Sequence, residues 1–166
     1  VLRSMKRITH EIIEKNNGAA DLILLGIYRR GMPLAAILQE NIRNFEGTEV
    51  PLGSIDISLY RDDLSEMNTI PETGSTHIPC DISGKRIILV DDVIYTGRTA
   101  RAAIEAVIHY GRPKSIQLAV LIDRGHRELP IRPDYVGKNI PTSHTEIVSV
   151  MVKEYDNQVG VALYQL

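Results

Sequence analysis

The stretch that decides the fold runs from Arg86 to Ala100 and reads Arg-Ile-Ile-Leu-Val-Asp-Asp-Val-Ile-Tyr-Thr-Gly-Arg-Thr-Ala. Its apolar run, Ile87–Val90, ends in two carboxylates, Asp91 and Asp92, and a loop over 95–99 follows with one glycine and two hydroxyls. A helical spacing of apolar residues begins directly behind that loop. The pattern predicts a buried strand that delivers two acids to its carboxyl end, where open α/β sheets bind ligands.

The loop after this strand has the features of a phosphate site. Unpaired backbone N–H groups at a helix N-terminus favour an anion, and Gly97 lets the backbone approach it closely. Thr96 and Thr99 add hydroxyl donors, and Thr99 is also a candidate N-cap. A phosphate beside Asp91 and Asp92 fits a ribose 5-phosphate, whose vicinal hydroxyls would donate to the carboxylates. The alternative, a strand that ends in a solvated acidic turn, does not account for the glycine and the hydroxyls.

Length and composition are those of one ordinary globular domain. The 166 residues are 43% hydrophobic, which is enough for a full core. The net charge of −2 means that any RNA contact requires a local basic patch. The single cysteine, Cys80, excludes an internal disulfide and favours a cytoplasmic protein. We find no signal peptide, and no apolar run approaches the ~18 residues of a membrane span.

The remaining chain predicts alternating helices and strands. A helix opened by Pro33 should point its apolar residues inward, and these are Leu34, Leu38, Ile42 and Phe45. The other predicted elements are a helix over 1–15, strands over 22–26, 55–60 and 115–122, a helix from the phosphate loop to Gly111, and an antiparallel strand pair over 146–152 and 159–164. This order predicts an α/β fold in a single domain over 1–166, with a parallel core sheet flanked by helices and an antiparallel addition.

Two other loops carry groups that suit an anionic ligand. Tyr28–Gly31 follows the first strand, and its two arginines bind phosphate oxygens well because guanidinium is a bidentate donor. Residues 61–85, which begin Arg61-Asp62-Asp63, form a long polar loop that predicts a flexible lid over the site. An exposed basic turn and a solvated charged loop are the respective alternatives.

Two further groups of polar residues follow the predicted elements. Arg3, Arg7 and His10 share one face of the first helix, which is either an RNA contact or a solvated basic face. Asp123–Arg127 follows the last predicted parallel strand, where a ligand's base would lie. For His126 in this loop, the alternative is a structural histidine, which is the commoner case.

The stretch that contains Asp91 and Asp92 resembles the phosphoribosyl pyrophosphate (PRPP) motif of the type I phosphoribosyltransferases. Within that superfamily the chain resembles the bacterial proteins that attenuate pyrimidine operon transcription and also act as uracil phosphoribosyltransferases. The blocks that carry this resemblance are 55–64, 90–99, 121–132 and 136–143. One departure is that Tyr28 and Arg29 stand where the family usually has Lys-Thr, which leaves the catalytic strength open.

The resemblance implies a type I phosphoribosyltransferase fold with a small hood, and the conversion of uracil and PRPP to UMP and pyrophosphate. It implies that Asp91, Asp92 and Arg30 are catalytic, with Mg²⁺ held mainly through the substrate near the two acids. The substrate-binding residues that it implies are Asp91, Asp92, Val93, Tyr95, Thr96, Gly97, Arg98, Thr99, Tyr28, Arg29, Arg30, Gly31 and Arg61. The base pocket that it implies is formed by Ile122, Asp123 and Arg124, mainly through backbone groups.

The resemblance also implies that a hairpin of pyrimidine operon leader mRNA binds when UMP or UTP is bound, and that the protein is a homodimer or a larger homo-oligomer. The implied RNA-binding residues are Lys6, Arg7, His10, Arg127, Arg132 and Lys138. Three functions stay open at this point: a bifunctional regulator and enzyme, an RNA-binding nucleotide sensor without significant catalysis, and a plain nucleobase salvage enzyme.

Overall fold

The computed structural model describes residues 1–61 and 76–166. Five parallel strands form the central sheet in the order β2-β1-β3-β4-β5, and β6 and β7 form a separate antiparallel pair. The elements are α1 Leu2–Lys15, β1 Leu22–Ile27, α2 Gly31–Glu46, β2 Leu52–Ile55, a 3-10 turn Ser58–Tyr60, β3 Arg86–Ile94, α3 Arg98–His109, β4 Ser115–Asp123, β5 Tyr135–Asn139, β6 Glu146–Met151, α4 Lys153–Asp156 and β7 Gly160–Gln165. Within these described ranges, no helix has the length and apolar character needed to cross a membrane.

The core lies in two layers on the two faces of the sheet. Every residue of β1 is buried, which explains why its sequence is a continuous apolar run rather than an alternating one. Leu22 and Leu24 pack in the layer of α1 and α2, whereas Ile23 and Leu25 pack in the layer of α3. The helices thus cover both faces, and the carboxyl ends of the parallel strands are left as the open edge.

The predicted fold class, a parallel core sheet with an antiparallel addition, is confirmed. The predicted strand over 55–60 is wrong, because β2 ends at Ile55 and a 3-10 turn follows. The Asp56 carboxylate accepts hydrogen bonds from the Ser58 backbone N–H (2.9 Å) and hydroxyl (2.6 Å), which turns the chain out of the sheet. Strand β5 lies in a stretch for which the sequence predicts no regular element. Gly137 admits this edge strand, since a Cβ there would lie 2.4 Å from the Leu121 carbonyl oxygen.

Three local predictions are also corrected. Pro33 is the third residue of α2 rather than its first, although it still lies in the first turn, where its missing N–H costs no helical hydrogen bond. Phe45 is 43% exposed and stacks on His10 with ring centroids 4.3 Å apart. The N-cap of α3 is Gly97, in the left-handed region at φ +93°, so Thr99 is already inside the helix.

The predicted lid over 61–85 falls largely on residues 62–75, which lie outside the described residues, as do Asp62 and Asp63. The described end of that segment returns to the sheet, where His77 pairs with Ser54 in an antiparallel bridge. Ile82 is buried in the layer of α3. The segment before β3 is therefore attached to strand β2 through His77 and to the core through Ile82.

Candidate active site

The two acids lie on the last part of β3, beyond its pairing with one neighbour. The β1 pairing ends at Gly26 opposite Val90, whereas the β4 pairing continues to Ile94 opposite Asp123. The strand therefore carries both acids in its last part, as predicted, and they sit where the sheet opens on the β1 side. Both acids are half-buried at this opening.

Short backbone contacts fix the orientation of the carboxylates. The Asp92 N–H donates to Asp91 Oδ1 at 2.9 Å, and the Val93 N–H donates to Asp92 Oδ1 at 2.7 Å. Burial, with a smaller contribution from the charge of Asp92, raises the pKa of Asp91 well above its ordinary range. The free site disfavours a second negative charge, so a ligand that brings hydroxyl donors or a cation is stabilised there.

The phosphate loop is built as its sequence predicts, around the N-terminus of α3. No side chain caps this helix, and the first N–H groups of a helix have no partner within it. The Thr96 carbonyl oxygen accepts hydrogen bonds from the N–H groups of Glu128 (2.9 Å) and Leu129 (3.1 Å), which hold the loop from behind. A cavity of about 130 Å³ adjoins the helix start, and its lining includes Asp91, Thr96 and Thr99. The anion-binding end of the helix and Asp91 therefore border one space, and Asp92 follows Asp91 on β3.

The loop Tyr28–Gly31 passes directly in front of β3. A Cβ on Gly31 would lie 2.2 Å from the Val90 carbonyl oxygen, so only glycine permits this approach. The peptide bond between Tyr28 and Arg29 is cis. The contact brings the two-arginine loop against the residue that precedes Asp91.

A cleft of about 470 Å³ joins three of the predicted ligand-binding segments. Its lining residues are Tyr28, Asp56, Ile57, Ser58, Arg61, Arg98 and Thr99. Arg30 is not among them, because its guanidinium is directed to Asp156 and to the Val150 carbonyl oxygen (3.3 Å). Asp56 and Ser58 were not predicted as site residues, although their Asp-x-Ser spacing is typical of a turn.

The loop after β4 contributes less side-chain surface than the sequence predicts. Ile122 is buried in the core, so its side chain is unavailable to a ligand. Arg124 is 8% exposed, and its guanidinium lies over the Tyr95 ring at 4.0 Å. It also donates to Thr142 Oγ1 (3.1 Å) and the Glu146 carbonyl oxygen (2.8 Å). Arg124 thus ties the phosphate loop to the segment that precedes β6.

Two of the predicted RNA-binding residues have partners within the fold. Arg127 pairs with Asp123 at 2.5 Å and donates to the Tyr95 carbonyl oxygen at 2.8 Å, so it also supports the phosphate loop. Arg7 donates to the carbonyl oxygens of Val136 and Gly137, on β5. Both residues stay predicted RNA contacts, and Arg7 remains exposed beside these bonds.

The other four predicted RNA-binding residues are exposed: Lys6, His10, Arg132 and Lys138. Four of the six predicted residues form two groups along edge strand β5, whereas His10 stacks on Phe45 of α2. Arg7 reaches β5 beside Lys138, and Arg127 and Arg132 line a common cavity of about 570 Å³ with Val136 of the same strand.

Comparisons with known proteins agree with this geometry. A family model described as the phosphoribosyl transferase domain matches residues 1–155. The bifunctional protein PyrR of Clostridium kluyveri is 63% identical over 164 residues, covering 99% of this chain and 92% of the relative. The PyrR of Caldicellulosiruptor bescii is 61% identical, covering 99% and 90%.

Solved structures of the same fold include the hypoxanthine phosphoribosyltransferase of Trypanosoma cruzi, with a TM-score of 0.73, 19% identity and coverage of 99% of this chain and 91% of that chain. A hypoxanthine-guanine phosphoribosyltransferase of Bacillus anthracis gives a TM-score of 0.73 at 18% identity, with coverage of 99% and 92%. At these identities the likeness concerns the fold alone.

A parallel sheet that ends in an acid pair beside an uncapped helix, with a two-arginine loop across the cleft, defines a phosphoribosyltransferase. The family match over residues 1–155 places the chain in that class. Within it, the chain belongs to the family of the bifunctional PyrR proteins, with identities of 63% and 61% to the two relatives described. The family predicted from the sequence motifs is confirmed.

Proposed function

We propose that the protein transfers the ribosyl phosphate of PRPP to uracil, which yields UMP and pyrophosphate, and that it binds a hairpin of pyrimidine operon leader mRNA when UMP or UTP is bound. The observation that carries the enzymatic part is the position of Asp91, which borders the same cavity as the N-terminus of α3, with Asp92 next to it on β3. The regulatory part rests on membership of the bifunctional PyrR family.

In this proposal the loop over 95–99 holds the 5′-phosphate through backbone N–H groups and the Thr96 and Thr99 hydroxyls. Asp91 and Asp92 accept hydrogen bonds from the ribose hydroxyls, and their negative charge favours a ribosyl centre that becomes cationic in the transition state. The bond from C1′ to the pyrophosphate oxygen breaks, a bond from C1′ to N1 of uracil forms, and the N1 proton is released. Val93, which follows the acids on β3, packs against the core layer of α1 and α2.

The acid pair also fits a magnesium ion carried by the substrate. Two adjacent carboxylates are the oxygen ligands that Mg²⁺ prefers, with PRPP oxygens and water to complete six positions. A bound cation would favour the charged form of Asp91, whose pKa is raised by burial. When bound, Mg²⁺ would neutralise charge on the leaving pyrophosphate. Asp91 and Asp92 would orient it through the substrate.

The remaining substrate contacts are assigned by position. Tyr28, Arg29 and the backbone at Gly31 lie where the pyrophosphate leaves. Arg61 and Arg98 line the mouth of the cleft with Tyr28. Uracil would be read by backbone groups of Ile122, Asp123 and Arg124, because the side chains of these residues are occupied within the fold.

The RNA face in this proposal follows edge strand β5, with Lys6, Arg7 and His10 from α1 on one side and Arg127 and Arg132 on the other. Lys138 lies on the strand itself. The expected homodimer or larger assembly stays a prediction.

One observation favours the second candidate, an RNA-binding nucleotide sensor with weak catalysis. Arg30, which was expected to act on the pyrophosphate, is held by Asp156. Initial-rate assays with PRPP and Mg²⁺ decide between the candidates. Turnover of uracil but not hypoxanthine supports the proposal, and turnover of hypoxanthine alone would indicate a salvage enzyme. UMP-dependent binding of leader RNA without turnover of either base would indicate the sensor.

A further inference from the structure

Two residues of the short helix α4, which is far from the acid pair in the sequence, contact the two arginines of the loop Tyr28–Gly31. Asp156 lies 126 positions after Arg30. Its carboxylate accepts hydrogen bonds from both terminal nitrogens of the Arg30 guanidinium, and the bond from Nη2 to Oδ1 is 3.2 Å long. The same arginine also donates to the Val150 carbonyl oxygen at 3.3 Å. Such a fork of two parallel bonds fixes the direction of a guanidinium as well as its place.

Asp156 is itself held in place and is therefore able to act as an anchor. The Val152 N–H donates to its Oδ2 at 2.8 Å, at the start of α4. Only 22% of the Asp156 side chain and 36% of the Arg30 side chain are exposed, so water screens this pair less than it screens a surface ion pair. The hydrogen bond lowers the pKa of Asp156 and raises the pKa of Arg30, so both groups stay charged at neutral pH.

The next arginine is held by the neighbouring residue of α4. The Arg29 guanidinium carbon lies 3.9 Å from the centre of the Tyr155 ring, which is within the range of a cation–π contact. The Tyr155 hydroxyl also reaches the Arg29 carbonyl oxygen at 3.5 Å. Arg29 itself remains exposed, so the ring supports its guanidinium while one face stays accessible.

We propose that Asp156 and Tyr155 are positioning residues for the two-arginine loop, Tyr28–Gly31. Asp156 binds Arg30 as a fixed anchor, and Tyr155 presents Arg29 to the pyrophosphate of PRPP. The inference rests on the proposed function, because it assigns a role within that reaction. It gives the antiparallel unit, whose two strands flank α4, a part in binding PRPP. It also reassigns Arg30 from a direct ligand of pyrophosphate to an internal support.

The first test replaces Asp156 by Asn, which keeps the shape of the side chain and removes the charge. We expect KM for PRPP and Kd for pyrophosphate to rise about fivefold to tenfold. KM for uracil and Kd for UMP should stay unchanged, because UMP leaves the pyrophosphate position empty. The control is Glu40→Gln, which removes the carboxylate partner of Arg43 on the exposed side of α2 and should change none of these constants.

A double-mutant cycle separates an anchor from a direct ligand. Arg30→Lys keeps the charge and loses the fork, so it should raise KM for PRPP as much as Asp156→Asn does. The double variant should be no worse than either single variant. Additive losses, or a loss confined to Arg30→Lys, would mean that Arg30 itself binds pyrophosphate and would overturn the proposal.

Tyr155 provides an independent pair of variants if Asp156→Asn folds poorly by thermal unfolding. Tyr155→Phe keeps the ring beneath Arg29 and should bind pyrophosphate nearly as well as the wild type, whereas Tyr155→Leu should bind it several-fold more weakly. Equal affinities for Tyr155→Leu and wild type would refute the role of the ring. These titrations use inorganic pyrophosphate with Mg²⁺ and need no turnover, so a wild type that is inactive with uracil contradicts the proposed function without deciding this inference.

Discussion

Replacing Asp91 by Asn should stabilise the free protein at neutral pH while it weakens the enzyme. Burial and the charge of Asp92 raise the pKa of Asp91 in the folded state above the ordinary value of 3.8. The free-energy cost to the folded state therefore begins above the unfolded-state pKa, grows as the pH rises, and is complete above the raised pKa of the folded state. An uncompensated buried polar group costs about 1–3 kcal/mol or more, so we expect removal of the Asp91 charge to raise the free energy of unfolding at pH 7 by about that amount.

The substitution leaves the local geometry intact, because an Asn oxygen can still accept the hydrogen bond from the Asp92 N–H. Urea unfolding of both proteins between pH 3.5 and 8 is the assay, with uracil turnover measured in parallel. The gain should be absent at the acid end and should grow as the pH rises toward neutrality. Asp21→Asn is the control with the opposite sign, since Lys85 lowers the pKa of Asp21. A variant less stable than the wild type at pH 7, or a gain independent of pH, would refute this reasoning.

Three other substitutions test separate parts of the site. Gly97→Val should abolish measurable UMP binding in calorimetry, because the residue sits at φ +93° and the loop backbone must approach the phosphate; an unchanged affinity would contradict the phosphate assignment. Asp92→Asn should lower kcat for uracil at least tenfold with little change in thermal stability, and comparable turnover at saturating substrate would count against a role for this acid. Arg132→Gln should weaken leader-RNA binding and reduce its salt slope by about 0.7–0.9 while uracil turnover stays the same, whereas Arg127→Gln should impair both activities because Arg127 also holds the Tyr95 carbonyl oxygen.

The centre of the site was predictable because its signals are local. An apolar run, two acids, a glycine and a hydroxyl-rich turn follow one another within 86–100, and each has a direct physical meaning for a strand, a ligand edge or a helix start. The same holds for α1 and for the antiparallel pair, whose periods are clear in the sequence. The family resemblance rested on blocks of this kind and is confirmed by the relatives.

What the sequence did not predict depends on contacts between distant residues. The anchor of Arg30 is 126 positions away, so no spacing rule connects it to Asp156. Arg127 looks like a surface cation in the sequence, and only the fold shows its pairing with Asp123. Strand β5 was missed because it is a short edge strand with a glycine and a lysine in it, which lowers its apolar signal.

The central claim is that one ribosyl-phosphate site serves both catalysis and regulation, and a filter-binding titration of pyrimidine operon leader RNA with and without UMP tests it most directly. The account predicts that UMP tightens RNA binding by the wild type at least tenfold and that Gly97→Val, which should not bind UMP, shows no such effect. RNA affinity that is the same with and without UMP in the wild type would contradict the account.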